Sequence, residues 1–149
     1  MLCVSVTILS YGEPIMMNSA VIALGSNIEP EKHIEQALHA IAKAFQLRDK
    51  SDFIYTAPIG IQEQPNFLNG VALVESDADQ ETIIDRLKQI EDTMGRDRSR
   101  EKYGPRCIDL DLVVFNSCIL DKDVYNRDFL QRAIHEVLPE LEIDGRRTE

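Results

Sequence analysis

Two hydrophobic periods organise the chain. Ala20 to Leu24 is a short apolar run stopped by Gly25, Ser26 and Asn27, a cluster of turn formers, and it predicts a first strand. Pro30 then suits the first turn of a helix, and Ile34, Ala37, Leu38, Ile41, Ala42 and Phe45 recur at the spacing of one helical face. Residues 52–57 read as a second strand, 58–66 as a loop and 67–75 as a third strand rich in Val, Leu and Ala. Helical spacing returns with Ile83, Ile84, Leu87, Ile90 and Met94, and Gly95 provides the C-terminal stop. Residues 104–115, GPRCIDLDLVVF, read as a fourth strand. Phe129, Leu130, Ala133, Ile134, Val137 and Leu138 then mark a last helix that Pro139 closes. The order β-α-β-β-α-β plus a helix predicts an α+β fold. It is a ferredoxin-like βαββαβ sandwich, its antiparallel sheet covered by helices, with a C-terminal helix added. Residues 1–19 stand outside that plan as an N-terminal extension. Cys3 to Leu9 suits an extra edge strand, while Met16 and Met17 offer an alternative start just ahead of the first core strand. Residues 20–149 form a single expected domain.

The fourth strand breaks its own pattern. Ile108, Leu110, Leu112 and Val114 fall on one face, and Asp109, Asp111 and Val113 on the other, so an otherwise apolar strand opens with two carboxylates side by side. At about 3.3 Å per residue their Cα atoms lie roughly 6.6 Å apart, close enough for both side chains to converge on one small cation or a pair of them. Asp is depleted in strands and this pair would repel itself, which favours a site over a solvated edge.

Composition changes the picture only by exclusion. A length of 149 residues with 44% hydrophobic and 28% charged residues is that of one ordinary globular domain with a core of its own. Cys3, Cys107 and Cys118 make an odd number without a Cys-x-x-Cys pair, which argues against a disulfide framework or structural zinc and for a reducing, cytoplasmic setting. No apolar run approaches a membrane span, and the first residues lack the basic start of a signal peptide. A formal net charge of −10 argues against nucleic acid as a partner. His33, His39 and His135 lie outside every motif.

The acidic balance is interrupted once. Between Gly95 and Arg106 stand Arg96, Arg98, Arg100, Lys102 and Arg106 against only Asp97 and Glu101. A basic loop running straight into paired carboxylates suits a polyphosphate. Guanidinium forks bind phosphate oxygens, and the aspartates hold the magnesium that travels with them.

Three stretches together, ALGSN at 23–27, PIGIQEQPNFLN at 58–69 and GRDRSREKYGPRCIDLDL at 95–112, resemble the 6-hydroxymethyl-7,8-dihydropterin pyrophosphokinases of folate biosynthesis. The resemblance runs over residues 21–141. It implies transfer of a pyrophosphoryl group from ATP to the pterin hydroxymethyl oxygen, with release of AMP. It also implies two magnesium ions held by Asp109 and Asp111, and a catalytic role for Arg96 and Arg98 in a loop that closes over the phosphates. ATP contacts would come from Glu91, Arg98, Tyr103, Arg106 and Leu112. The pterin pocket would be built from Thr56, Ala57, Ile59, Phe67, Asn69 and Phe129. That set is chemically apt, since aromatic rings can sandwich a flat heterocycle and an amide can meet its edge with both a donor and an acceptor. The partners implied are the two small-molecule substrates, with no nucleic acid and no membrane, and a monomer is expected. Phosphoryl-type transfer asks mainly for positioning and charge neutralisation, so the lack of a motif histidine is no obstacle.

One departure stands out. Family members carry a longer segment with a Pro-His pair ahead of the Asn-Arg-x-Phe stretch, whereas here Ser117 to Tyr125 runs directly into Asn126, Arg127, Asp128 and Phe129. The pterin side is intact and the ATP side trimmed, which predicts weakened ATP binding. It also leaves open a noncatalytic or weakly active pterin-binding paralogue, and, beyond the resemblance, a ferredoxin-like interaction domain.

Overall fold

The computed structural model describes residues 4–8, 14–58, 60, 63–95 and 107–143. In chain order the elements are β1 (Val4–Ile8), β2 (Pro14–Ser26), α1 (Pro30–Ala44), β3 (Gln46–Lys50), β4 (Ile54–Thr56), β5 (Phe67–Ser76), α2 (Gln80–Thr93), β6 (Asp109–Phe115), β7 (Cys118–Ile119), α3 (Asp123–Asn126) and α4 (Asp128–Val137). Among the described residues the strands form one antiparallel sheet in the order β3-β5-β2-β6-β7, with β1 added to β2 and β4 added to β5. With β3 and β4 taken as one edge, the order matches the expected ferredoxin-like sandwich.

The helices start and stop where their sequences dictate. Pro30 occupies the first turn of α1, and Ile34, Ala37 and Ile41 form its buried stripe. Asp79 caps α2 by accepting the Thr82 N–H at 2.8 Å, and Gly95, at φ 89°, ends it in the left-handed region. Both helices pack on one face of the sheet, against Ile22, Leu24, Ala72, Val74, Ile108, Leu110 and Leu112. The opposite face is covered by α4, whose Leu130, Ala133, Ile134 and Val137 close over Val21, Val71, Val113 and Val114. Each fully buried aliphatic side chain contributes about 1.5–3 kcal/mol over leaving it in water, so two such layers anchor the central strands firmly enough to hold charged groups at their ends.

Several features depart from the sequence expectation, among them the first core strand, which begins at Pro14 and not at Ala20. A short edge strand, β3, precedes the second expected strand; its residues are almost all exposed, so no alternation announced it. The expected strand over 52–57 contracts to Ile54–Thr56. The strict alternation expected through β6 fails at Val113. Val21 pairs with Val114 and Ile22 with Leu112, so Val113 is an extra residue in a β-bulge. Val113 and Val114 therefore both serve the α4 face, while Phe115 packs with the α1 and α2 layer rather than sharing the face of the aspartates.

Candidate functional site

At one end of the sheet the C-terminal residues of β2 lie between the first residues of β5 and β6. Two cross-strand rows result, Asn69–Gly25–Asp109 and Val71–Ala23–Asp111. Residues directly opposite in an antiparallel sheet share a face, so two small residues form a floor flanked by an amide and two carboxylates. A Cβ added to Gly25 would meet Asn69 Oδ1 at 2.8 Å, closer than real Cβ atoms come, so the glycine is what lets the Asn69 amide lie across the floor. The Nδ2 of Asn69 donates to Thr56 Oγ1 at 2.5 Å. Thus β4, β5 and β2 fix one side chain together.

Over this floor lies a cavity of about 730 Å³. Thr56, Ala57 and Phe67 wall it on one side, Asp109 and Asp111 on the other, and Phe129, Leu130 and Ala133 of α4 roof it. Five of the residues expected to hold a pterin, Thr56, Ala57, Phe67, Asn69 and Phe129, are thus brought into one chamber beside the carboxylate pair. The loops below it are tied by Asn27, which donates through Nδ2 to Gln64 Oε1 at 2.7 Å and to the Pro65 carbonyl at 3.1 Å. This bond gives the turn of ALGSN and the QPNF stretch a structural reason to occur together.

A second cavity of about 700 Å³ opens against α2 and the outer side of β6. Ile84, Leu112 and Leu120 give it apolar surface, and Lys88 and Lys122 line it with positive charge. Glu91 and Leu112, expected at the nucleotide, are both here. Asp109, Asp111, Asp121 and Asp123 line both cavities. Glu91 lies on the buried stripe of α2 with Ile83 and Leu87 and is only 4% exposed. A carboxylate placed there without donors would cost several kcal/mol. Its Oε2 accepts the Leu110 N–H at 2.7 Å.

The donor chemistry fits a hard divalent cation. Two carboxylates sit at alternate positions of one strand, Asp109 partly buried and Asp111 exposed. Among the described residues no group of three or more His, Cys, Asp or Glu gathers to hold a metal without help. Magnesium is commonly bound by one or two carboxylates, its remaining positions filled by water and substrate phosphates. Arg96, Arg98, Arg106, Tyr103 and Ile59 lie outside the described residues.

The sequence reading passed over Asp121, Asp123 and Arg127 as site residues, though all three line the first cavity. They arrive there because Asn116 and Ser117, both at positive φ, make a two-residue turn that folds the chain back as β7. The Asn-Ser pair is the signal that could have revealed the hairpin. Arg127 Nη2 lies 3.3 Å from Asp123 Oδ2, one helical turn back.

Residues 21–139 match the family model of 7,8-dihydro-6-hydroxymethylpterin-pyrophosphokinase. Among curated proteins, a 2-amino-4-hydroxy-6-hydroxymethyldihydropteridine pyrophosphokinase of Haemophilus influenzae is 33% identical over 136 residues, 84% of either chain. The proteins of the same name from Pseudomonas aeruginosa and Bacillus subtilis are each 32% identical, covering 88% and 85% of this chain and 88% and 82% of their own lengths.

Proposed function

Because this chain belongs to the 7,8-dihydro-6-hydroxymethylpterin-pyrophosphokinase family, we propose that it transfers the pyrophosphoryl group of ATP to the hydroxymethyl oxygen of 6-hydroxymethyl-7,8-dihydropterin, releasing AMP, in folate biosynthesis. The observation that carries this reading is the meeting of two cavities at one carboxylate pair. A flat heterocycle fits between Phe67 and Phe129, with Asn69 at its edge, and its hydroxymethyl group would then face Asp109 and Asp111. The nucleotide takes the other cavity, its base against Ile84, Leu112 and Leu120, and its phosphates directed toward the same pair.

In this arrangement the hydroxymethyl oxygen attacks the β-phosphorus in line with the bridging oxygen to the α-phosphate. That bond breaks with its electron pair passing to the α-phosphate oxygen, the hydroxyl proton is released to water, and AMP leaves. Two magnesium ions held by Asp109 and Asp111 would neutralise phosphate charge and favour ionisation of the attacking hydroxyl. The protein's own task is alignment. Asn69 and the two aromatic rings fix the acceptor, and the carboxylate pair fixes where the phosphates lie relative to it. Arg96 and Arg98 supply positive charge to the nonbridging oxygens, and Arg106 and Tyr103 further nucleotide contacts, as the family resemblance implies. The odd cysteine count, with Cys107 and Cys118 as free thiols, supports action in a reducing cytoplasm. No helix among the described residues is long and apolar enough to cross a membrane.

The test is direct. Protein, magnesium, ATP and 6-hydroxymethyl-7,8-dihydropterin should give AMP and the pterin diphosphate in equal amounts, and leaving out magnesium or the pterin should stop both. Pterin binding without any AMP would reduce the protein to a noncatalytic pterin binder.

A further inference from the structure

Leu110 is the residue between the two aspartates. On its inner side β6 is paired with β2, Leu110 standing opposite Leu24. On its outer side β7 reaches only Val114 and Phe115, and among the described residues no strand flanks the upstream half of β6. The Leu110 N–H, aimed outward, is met there by a side chain, the Oε2 of Glu91. Glu91 in turn is fixed by the buried stripe of α2, which is packed into the larger core layer.

We propose, resting on the function just given, that Glu91 is a positioning residue for the metal-binding pair, acting on it through the Leu110 backbone. Its carboxylate takes the place that a neighbouring strand would hold at Leu110, the one residue between Asp109 and Asp111. In a strand each side chain's direction is set by its own backbone, so a shift or twist at Leu110 turns both aspartates. The hydrogen bond from α2 holds the Leu110 backbone against such a shift. Glu91 thus acts at second remove on magnesium, in the way outer-shell groups orient metal ligands.

The experiment compares wild-type protein with E91A and E91Q in three measurements: hydrogen exchange of the Leu110 amide without ligands, the magnesium concentration that half-saturates binding of a nonhydrolysable ATP analogue, and pterin affinity without nucleotide. In E91A the Leu110 amide should exchange faster, and the magnesium requirement should rise about tenfold, the usual cost of removing an outer-shell partner. Saturating magnesium should restore analogue binding, and pterin affinity should stay as in the wild type. In E91Q the amide oxygen can accept the same N–H, so all three measurements should stay near the wild-type values. A loss of analogue binding in E91A or E91Q that persists at saturating magnesium, with the Leu110 amide still protected, would overturn the proposal and make Glu91 a direct nucleotide ligand. Should E91A fail to fold, E91Q alone decides by the same criterion. Failure of the wild type to bind the analogue at any magnesium concentration would sink the proposed function instead, and Leu110 exchange in the variants would still confirm or refute the clamp.

Discussion

The two cavities that meet at Asp109 and Asp111 are held together by different kinds of contact. The chamber assigned to the pterin is fixed by long-range register. Thr56, Asn69, Gly25 and Asp109 come from four strands, and moving any of them means breaking a sheet ladder. The outer wall of the cavity assigned to the nucleotide is local. Leu120, Asp121 and Lys122 follow a two-residue turn, and their backbone bonds close over short distances, from Leu120 N to Val113 O, Val124 N to Asp121 O and Tyr125 N to Lys122 O. Long-range ladders open only with much of the fold, whereas local hairpins open at small cost. The acceptor side is therefore preorganised and intolerant of change, and the nucleotide side is where a chain can lose residues and still fold.

The largest expected effect falls on the shared wall. Asp109→Ala or Asp111→Ala should lower turnover on the order of a thousandfold, the few kcal/mol a bound metal supplies to phosphoryl transfer, and abolish magnesium-dependent nucleotide binding. Pterin binding without nucleotide should survive, and Tm should hold or rise slightly because one of two repelling charges is gone. A fall in Tm with unchanged nucleotide affinity would make the pair structural.

Next comes the preorganised side. Asn69→Ala should weaken pterin binding about tenfold, the loss expected when a hydrogen bond is removed and its partner left unpaired, with nucleotide affinity unaltered. Gly25→Ala should reproduce that loss by displacing the amide, because its new Cβ would collide with Asn69 Oδ1. Calorimetry showing nucleotide binding harmed as much as pterin binding would erase the distinction between the two sides.

A smaller gain is expected on the local side. Lengthening the connection between Leu120 and Asn126 to the family length, with its histidine, should lower the KM for ATP about tenfold and leave pterin affinity alone. A graft that folds but leaves the KM for ATP unchanged would show that the short hairpin covers its nucleotide adequately.

The smallest effect concerns the far end of α2. Hydrogen bonds from Thr82, through its side chain and its backbone N–H, hold the Asp79 carboxyl below its ordinary 3.8. A carboxyl depressed in the folded state stabilises above its unfolded pKa and loses that contribution as pH falls through the folded value. Asp79→Ala should therefore lower Tm by about 2 °C at neutral pH, and the gap between variant and wild type should close below about pH 4. Turnover should be unaffected; a change in turnover would mean that the cap communicates with the nucleotide wall.

Much of this was legible in the sequence because it rests on periodicity. The helices over Ile34 to Phe45 and Ile83 to Met94 and the final helix at Phe129 to Leu138 stand where their apolar stripes put them, and the order of elements gave the sandwich. The carboxylate pair was visible because it interrupts an apolar strand. What was not legible depends on tertiary pairing. The exposed residues of β3 become a strand only by adding to β5. The bulge at Val113 leaves no trace in composition, yet it decides which face Val114 and Phe115 serve. The burial of Glu91 was half visible, as a carboxylate in line with Ile83 and Leu87, but its partner at Leu110 belongs to a different element.

Four carboxylates line both cavities, so neither substrate can arrive without altering the electrical surroundings of the other. With the wall unneutralised, a polyphosphate meets repulsion; with it neutralised, both ligands see a different surface. Thermodynamic linkage then fixes a reciprocity. Whatever factor magnesium and nucleotide impose on pterin affinity, the pterin imposes on theirs. On the proposed function the two chambers would communicate through shared charge, and the strength of that coupling should fall as salt screens the wall.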